Sequence, residues 1–431
     1  MRLRRRTAVL LGLVAVSMTG VGLSSATPTQ PPFQVNVEGA SQPDAANWRG
    51  GEPEIAVNPR NPQNMVMVWA AMKQITDPKT GLTYPGLVSQ FASPATGMQN
   101  IGCQMAYTFD GGRTWDAAVF PLREKPSCGD PMVVADSSGA FEITYDLMGS
   151  VFTPSTEGTQ PVDSVAASRS TDGGRHWSIA VDVGSIVDRP FFRIDPSTDW
   201  LYEVSGSVIT LSTPRQFVMS KDHGRTWTPK LSFPSDHLAV NRGVIATTLQ
   251  SGNPAVFTFA VSKDNGATYQ QAPIPGASSG GSGDWVSADP THAGRFAAMQ
   301  QVGPLLEVLI TSDNGKTWSK PVHVSAGERT LSLPWFDYGP RGDLGVMWKA
   351  TDASTSKFLV YAALMRAGDR RFSRPLQVSS APSAGPDAAN EGAGDDLSWI
   401  TVDRSTAYIG WGDRRSGMLQ AWFARVPLRD F

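Results

Sequence analysis

Short runs of alternating apolar and polar residues follow one another along most of the chain, and turn-forming residues separate them. A pair of such runs with a polar turn between them recurs, as in EPEIAVNPRNPQNMVMVW (52–69) and DRPFFRIDPSTDWLYEVS (188–205). Asn-Pro, Asp-Pro and Gly-Pro lie at the turns, and no segment has a sustained helical period, so each pair predicts a β-hairpin. Seven hairpins are predicted, at 52–69, 129–146, 188–205, 236–249, 283–300, 333–348 and 395–411.

An octapeptide of the form Ser/Thr-x-Asp-x-Gly-x-x-aromatic follows five of these hairpins. The copies are TFDGGRTW (108–115), STDGGRHW (170–177), SKDHGRTW (220–227), SKDNGATY (262–269) and TSDNGKTW (311–318). Their aspartates are 62, 50, 42 and 49 residues apart, a period typical of one four-stranded propeller blade. A decayed sixth copy, RAGDRRFSRP at 366–375, keeps the ending of GKTWSKP (315–321).

The residue types of the octapeptide suit a tight turn between two strands. The aspartate can accept hydrogen bonds from backbone N–H groups, the glycine allows a positive φ, and the aromatic residue can pack between neighbouring sheets. The sequence therefore predicts a structural role for the five aspartates Asp110, Asp172, Asp222, Asp264 and Asp313.

The two ends of the chain predict how the ring of blades closes. FQVN (33–36) is followed by PDAAN (43–47), and LQVS (376–379) is followed by PDAAN again at 386–390. The last unit supplies three strands, so the N-terminal strand is expected to complete it as the fourth. The prediction is an all-β propeller of seven four-stranded blades, or of six if the short fourth unit merges with a neighbour.

The first 26 residues have the organisation of a secretory signal peptide. RLRRR (2–6) precedes an apolar run from Ala8 to about Leu23, and the small residues at 24–26 suit cleavage. Cleavage removes four arginines and leaves 33 basic and 39 acidic residues, a net charge of about −6. We expect a secreted protein with residues 27–431 as one domain and no membrane attachment after cleavage. The absence of basic blocks argues against nucleic acid as a partner.

The chain has two cysteines, Cys103 and Cys128. Export makes a disulfide possible, and a bridge closing a loop of this length contributes about 3 kcal/mol. We expect the two cysteines to pair.

The octapeptide is similar to the Asp-box, or BNR repeat, of sialidase-like β-propellers, and the resemblance covers nearly the whole mature chain. EPEIAVNPRNPQN, CGDP and WGDRRSG also resemble segments of bacterial secreted proteins often called exo-alpha-sialidases. The resemblance implies a triad of arginines for a substrate carboxylate, an aspartate as acid/base and a tyrosine nucleophile activated by a glutamate. The family's Phe/Tyr-Arg-Ile-Pro motif is missing; the nearest string, FRID (192–195), is interpreted as a coincidence inside a strand.

Propeller topology puts the hairpin turns and Asp-box turns on one face and the links between blades on the other. A central pocket is therefore expected on the link face, where six units begin with an acidic residue. These residues are Glu52, Asp130, Asp188, Asp236, Asp284 and Asp395. Acceptance of backbone N–H groups is the first interpretation of this acidic ring, and binding of Ca²⁺ is the second. No other cofactor is predicted.

The same face collects candidate ligands for a sugar. A carboxylate clamp is predicted from Arg49, Arg189, Arg329 and Arg414, with Asp130 or Asp188 as the acid that protonates the leaving oxygen. Trp48 is the best candidate to stack on a sugar ring, while the other tryptophans are expected to fill space between blades. Tyr338 and Tyr408 are the tyrosines from which a nucleophile would come, although both lie inside predicted hairpins.

The sequence leaves two functions open. One is a secreted glycan-directed protein that hydrolyses terminal sialic acid, a glycoside hydrolase; the other is a non-catalytic propeller that binds a glycan or a cell-surface ligand. We expect a monomer in either case.

Overall fold

The structure is a computed structural model, and its described strands form seven antiparallel sheets. It describes residues 33–34, 48–76, 83–85, 101–121, 127–148, 162–184, 190–205, 215–251, 256–278, 282–324, 334–351, 357–384, 397–415 and 419–431. The predicted signal peptide, residues 1–26, lies outside these ranges. Within the described part, no helix is long and apolar enough to cross a membrane.

Each sheet is one blade; in blades 1 to 6 the strands follow chain order from the innermost outward, and in blade 7 the N-terminal strand is the outermost. Blade 1 contains β2 (Trp48–Val57), β3 (Met65–Thr76), β5 (Ile101–Thr108) and β6 (Asp116–Ala117), with β4 (Thr83–Pro85) on β3. Blade 2 contains β7 (Ser127–Ala135), β8 (Phe141–Met148), β9 (Val162–Ser170) and β10 (Val181–Gly184). Blade 3 contains β11 (Phe191–Asp195), β12 (Trp200–Ser205), β13 (Arg215–Ser220) and β14 (Leu231–Phe233).

The remaining four blades repeat this order. Blade 4 contains β15 (Ala239–Asn241), β16 (Val244–Ser251), β17 (Val256–Ser262) and β18 (Gln270–Pro273). Blade 5 contains β19 (Ser282–Ala288), β20 (Phe296–Val302), β21 (Leu305–Thr311) and β22 (Val322–His323). Blade 6 contains β23 (Trp335–Tyr338), β24 (Leu344–Thr351), β25 (Lys357–Met365) and β26 (Leu376–Gln377), with β27 (Ser383–Ala384) on β25. Blade 7 contains β28 (Trp399–Val402), β29 (Thr406–Asp413), β30 (Gln420–Pro427) and β1 (Phe33–Gln34).

Both ends of the chain meet in blade 7. The N-terminal strand β1 pairs antiparallel with β30, with Phe33 opposite Phe423 and Gln34 opposite Trp422. The prediction of seven blades closed by the N-terminal strand is confirmed. The six-blade alternative is wrong, because the short fourth unit forms a complete sheet of its own.

The five octapeptides form turns with one hydrogen-bond pattern, shown by 311–318. The hydroxyl of Thr311 accepts the Gly315 N–H (2.9 Å) and donates to Asp313 Oδ1 (2.9 Å). Asp313 then accepts the backbone N–H (2.9 Å) and the hydroxyl (2.6 Å) of Thr317. Gly315 has a φ of +85°, and a Cβ there would lie 2.4 Å from the Phe259 ring of the preceding blade. The octapeptide thus fixes a turn and also packs it closely against the preceding blade.

The decayed sixth copy keeps the position of this turn but lacks the aspartate that accepts hydrogen bonds in the other five. Ser373 and Leu364 exchange the same bonds as Ser319 and Ile310 do in blade 5. Alignment on those serines puts Ala367 where the other turns have aspartate. The Ala367 N–H is instead accepted by Asp343 of the neighbouring hairpin turn (2.9 Å).

The turns define the two faces of the ring. The hairpin turns between the first two strands and the turns formed by the octapeptides, which the sequence likens to Asp-boxes, lie on one face, called here the turn face; the links between blades lie on the opposite link face. Cys103 on β5 and Cys128 on β7 are bonded to each other, which confirms the predicted disulfide and ties blade 1 to blade 2.

Apolar side chains fill the space between blades. Trp69, Trp348 and Trp411 occupy the same position on the second strands of blades 1, 6 and 7, and all three are fully buried. Trp285 and Trp335 on inner strands are also buried. These tryptophans therefore have the packing role that the sequence predicted for them.

Candidate functional site

The inner strands of the seven blades bring two sets of side chains together at the axis. Counted back from the residue at which each hairpin turn begins, one set lies four residues before it and the other lies two residues before it; the turn residues are Asn58, Asp136, Asp195, Asn241, Asp289, Gly339 and Asp403. The first set is Glu54, Met132, Phe191, His237, Trp285, Trp335 and Trp399. The second set is Ala56, Val134, Arg193, Ala239, Ser287, Asp337 and Thr401. Within the second set, Arg193 and Asp337 are the two charged residues.

Arg193 of blade 3 lies at the centre of this arrangement. Its guanidinium carbon is 4.3 Å from the ring centroid of Phe191, 4.7 Å from that of Trp399 and 5.5 Å from that of Trp335. Its Nη1 is 3.8 Å from Glu54 Oε1 of blade 1. Blades 1, 6 and 7 are not neighbours of blade 3, so these contacts can form only across the axis. We call Arg193, Glu54, Asp337, Phe191, Trp335 and Trp399 the axial cluster.

The two carboxyl groups of the axial cluster have different environments. Burial raises the pKa of Glu54 to about 8, although Arg193 and the Val133 N–H act to lower it. Glu54 Oε2 accepts that N–H (3.0 Å), while Oε1 has no hydrogen-bond partner. Burial also raises the pKa of Asp337, which accepts hydrogen bonds from the Ser287 hydroxyl (2.6 Å) and the Tyr338 N–H (2.9 Å). Burial thus raises the pKa of both carboxyl groups, and the charge of Arg193 opposes that rise at each of them.

The aromatic part of the cluster combines stacked rings with unused donors. Trp335 and Trp399 stack with centroids 4.3 Å apart. Trp399 donates its Nε1–H to Thr401 (3.1 Å), whereas the buried Nε1 of Trp335 has no partner. The side chain of Arg193 is 15% exposed, and Asp337 and Thr401 are also partly accessible. The axis therefore combines a charged, aromatic lining with buried polar atoms that have no hydrogen-bond partner within the described residues, and Arg193, Asp337 and Thr401 are its partly accessible side chains.

Comparisons with known proteins identify the fold. No protein-family model matches the sequence, and no curated protein matches it significantly. A protein of unknown function from Dyadobacter fermentans superposes with a TM-score of 0.50 and 11% identity, covering 91% of this chain and 98% of that one. The NanB sialidase from Streptococcus pneumoniae gives a TM-score of 0.45 and 13% identity, over 94% of this chain and 71% of that one. YCF48 bound to a D1 peptide gives 0.47 and 11%, over 92% and 95%. Similarity at such identities concerns the fold alone.

Two acidic residues predicted at the channel mouth occupy strained positions. Glu52 and Asp130 have φ values of +56° and +44°, and each lies where the pairing register of its inner strand shifts. These shifts are β-bulges, which place the two side chains where the strands enter from the link face. Asp236 forms an ion pair with Arg215 of blade 3. The proposed calcium site in this acidic ring stays a prediction.

Most of the other predicted link-face residues cannot be placed at the site. Asp188, Arg189, Arg329 and Asp395 lie outside the described residues, and so do the side chains of Trp48, Arg49 and Asp284. Arg414 follows β29 on the link face, and its N–H donates to Ser383 (2.9 Å). Its neighbour Arg415 pairs with Asp413 (2.5 Å) and stacks on Trp422, so it is held within blade 7. The predicted arginine clamp stays a prediction.

Tyr338 and Tyr408 point away from the link face. The hydroxyl of Tyr408 donates to Asp403 (2.7 Å) in a turn, and Tyr338 lies beside Arg295 and Asp289 of another turn. Burial raises the pKa of both phenols, the opposite of what an activated nucleophile needs. The two tyrosines are therefore packing residues of the turn face.

A second cluster of ionisable groups lies on the turn face between blades 2 and 3. Asp136, Glu142 and His223 place ligand atoms within 4.8 Å of one another, with spacing that would suit a metal ion. Arg169 already bridges the carboxylates, 2.6 Å from Asp136 and 3.1 Å from Glu142. A guanidinium thus already partners both carboxyl groups, so the cluster is explained without a metal ion.

Sequence reasoning missed the axial cluster because FRID (192–195) was taken for a chance string. The structure confirms that this string lies inside β11 but puts Arg193 at the axis. One signal was present in the sequence. Aligning the seven inner strands leaves alanine, valine, serine or threonine at five copies of this position and charge at two, Arg193 and Asp337.

Proposed function

We propose that this protein is a secreted glycan-binding propeller that takes the terminal sugar acid of a glycan, such as sialic acid, at the axial cluster. The observation that carries the proposal is the guanidinium of Arg193, held between aromatic rings from three blades and still partly accessible. A planar guanidinium of fixed orientation suits bidentate recognition of a carboxylate.

The surrounding groups match the rest of a sugar acid. Trp335 and Trp399 form an aromatic wall beside Arg193 against which the C–H side of a pyranose would pack, and the Nε1–H of Trp335 is the donor without a partner among the described residues. Glu54, protonated at neutral pH, offers a donor at Oε1 and adds no negative charge that would repel the ligand. Asp337 is an acceptor for sugar hydroxyls.

Hydrolysis of the glycosidic bond is the second candidate function. It is favoured by the pairing of two carboxyl groups at one site, since a protonated glutamate with a raised pKa is the form that a general acid requires. A mechanism of this kind would use Glu54 and Asp337, and it would not need Tyr338 or Tyr408.

The test is calorimetric titration of the mature protein with sialyllactose and with lactose, together with turnover of a fluorogenic sialoside. Binding of sialyllactose but not lactose is expected, because only the former carries the carboxylate. Arg193→Lys keeps the charge but loses the planar fork, and it should weaken binding about tenfold or more. Arg113→Gln, an exposed arginine on an Asp-box turn, is the matched control and should bind normally.

The outcomes separate the two candidates. Turnover that is abolished by Glu54→Gln while binding persists would establish hydrolysis at this site. Binding without turnover between pH 4 and 8 would identify a binding protein. Equal affinity for sialyllactose and lactose, or no effect of Arg193→Lys, would reject the axial site as a receptor for a sugar acid.

A further inference from the structure

The decayed sixth Asp-box turn belongs to an unusually basic part of the turn face. Two adjoining cavities of about 450 and 400 Å³ open beside blades 6 and 7 and share Arg366 in their linings. Six arginines line them: Arg341, Arg366, Arg370, Arg371, Arg404 and Arg429. We call these six residues the arginine patch. The acidic side chains in the two linings are Asp343 and Asp369.

The charges of this patch are almost entirely unbalanced by ion pairs. Among the described residues, five of the six arginines are farther than 4 Å from any carboxylate; Arg429 is the exception, 3.7 Å from Asp430. Arg341 donates to the Arg404 carbonyl (3.2 Å) and Arg366 to the Leu428 carbonyl (2.8 Å). Such bonds fix the direction of the guanidinium groups without neutralising them, so their charge remains available to a ligand.

The position of the patch coincides with the loss of the Asp-box pattern. When the sixth turn is aligned with the turn of blade 5 on Ser373 and Ser319, Ala367 stands in the place of the aspartate. Arg370 and Arg371 are the two residues before the aromatic position. The sixth turn lacks the carboxylate that the five intact turns have at this point, and it has Arg371 where the intact copies have threonine or histidine before the aromatic residue. Turn formation does not require these arginines, because Arg370 and Arg371 are exposed and form no hydrogen bond, ion pair or ring contact within the described residues.

We propose that the arginine patch is a second binding site, for a polyanionic polysaccharide bearing sulfate, phosphate or carboxylate groups. Two cavities side by side can receive consecutive charged units of such a chain. The hydroxyls of Ser405 and Thr406 and the ring of Phe372 in the linings suit sugar hydroxyls and sugar faces. Because the mature protein carries a net charge of about −6, the attraction is local to the patch and sensitive to salt.

Concave cavities distinguish this surface from one that lies on a bilayer. Membrane-surface binding uses basic residues alongside an exposed apolar face that enters the headgroup region. Among the residues that the structure describes, the large exposed hydrophobic residues are Phe109, Val119, Ile179, Leu231 and Val256. None of them belongs to blade 6 or blade 7.

The probe is fluorescently labelled dextran sulfate, with neutral dextran of equal length as the negative control. We expect the full mature protein to bind dextran sulfate, with an affinity that falls steeply as salt rises, and not to bind dextran. The triple variant Arg366→Gln, Arg370→Gln, Arg404→Gln should bind at least about tenfold more weakly. Arg370→Gln, Arg371→Gln changes only these exposed side chains, which form no hydrogen bond or ion pair within the described residues, and should weaken binding in the same direction while preserving the fold.

A matched control separates a specific patch from overall charge. Arg113→Gln, Arg175→Gln, Arg225→Gln removes three exposed arginines from intact Asp-box turns on the same face. This control should bind dextran sulfate like the unmodified protein. Equal losses in the two triple variants, or tighter binding to duplex DNA or to phosphatidylglycerol vesicles than to dextran sulfate, would overturn the proposal.

The site is independent of the axial cluster, and the experiment keeps the two apart. Arg193→Lys should leave dextran sulfate binding intact, and the arginine-patch variants should leave sialyllactose titration intact. Failure of one proposal is therefore visible without failure of the other.

Discussion

Burial at the axis changes the proton affinity of Glu54. The folded protein holds a proton on this carboxyl group up to a pKa of about 8, whereas the unfolded chain releases it near the ordinary value of 4.5. Between these two values the folded state binds more protons than the unfolded state, so stability is present at low pH and is lost as pH rises through the window. Glu142 and Glu203, whose pKa values burial also raises to about 8, contribute in the same direction.

This linkage predicts a pH profile for stability. The free energy of unfolding should fall between pH 5 and pH 8, and Glu54→Gln should make this fall shallower, since it removes one of the carboxyl groups whose pKa burial raises. Asp116→Asn, on an exposed strand, removes the same charge and should leave the slope unchanged. Urea unfolding at several pH values measures the slope of the unfolding free energy against pH for each variant. A Glu54→Gln variant with an unaltered slope would show that this carboxyl group does not bind the proton.

At the residue scale, the side chain that distinguishes the site was visible in the sequence only in an alignment of the blades. Arg193 lies within a short apolar strand, and nothing local separates it from an arginine on the surface. Arg193 contacts Glu54, which lies 139 positions earlier in the chain. The contact forms because the closed ring brings the inner strands of blades 1 and 3, which are not neighbours, to the same axis. Local pattern does not carry that information.

The Asp-box turn is the element that the sequence predicted most completely. Its serine or threonine, aspartate and glycine all act within eight residues, so their spacing alone determines the hydrogen bonds seen at 311–318. The hydroxyl and N–H of Thr317, acting on an exposed carboxylate, hold the pKa of Asp313 at about 2. The role of the threonine at the seventh position was not anticipated, because the notation of the repeat leaves that position unspecified.

The turn predicts a local effect of removing its aspartate. Asp313→Ala should speed hydrogen exchange at the Thr317 amide about tenfold, because that N–H loses its acceptor. Asp369→Ala, in the decayed sixth turn, is the control. Asp369 has no side-chain hydrogen bond within the described residues, so hydrogen exchange at the amides of that turn should not change. Unaltered exchange in the Asp313 variant would mean that the turn persists without the hydrogen bonds of Asp313.

Ring closure is a property of the whole molecule. The short strand β1 covers the outer edge of β30, which would otherwise present unpaired backbone groups to solvent. The sequence predicted this pairing from the repeat of PDAAN near both ends, since the offset places the N-terminal strand where blade 7 lacks one. Arg189 and Arg329, which the sequence predicted on the opposite face, lie outside the described residues, so their placement stays a prediction.

Closure predicts a sharp difference between two truncations. A chain beginning at Pro32 keeps Phe33 and Gln34 and should melt like the mature protein; a chain beginning at Asn36 loses them. The shorter chain should melt several degrees lower and self-associate through the exposed edge of β30. Differential scanning calorimetry and size-exclusion chromatography compare the two. Identical melting and elution would contradict a stabilising role for β1.

The central claim is that the ring gathers a receptor for a sugar acid at its axis, and a crystal structure of the mature protein soaked with sialyllactose tests it most directly. The account predicts density for the sialic acid with its carboxylate oxygens about 3 Å from the guanidinium of Arg193 and its ring beside Trp335 or Trp399. Density at the arginine patch alone, or an axis without ligand under conditions where calorimetry detects binding, would contradict it.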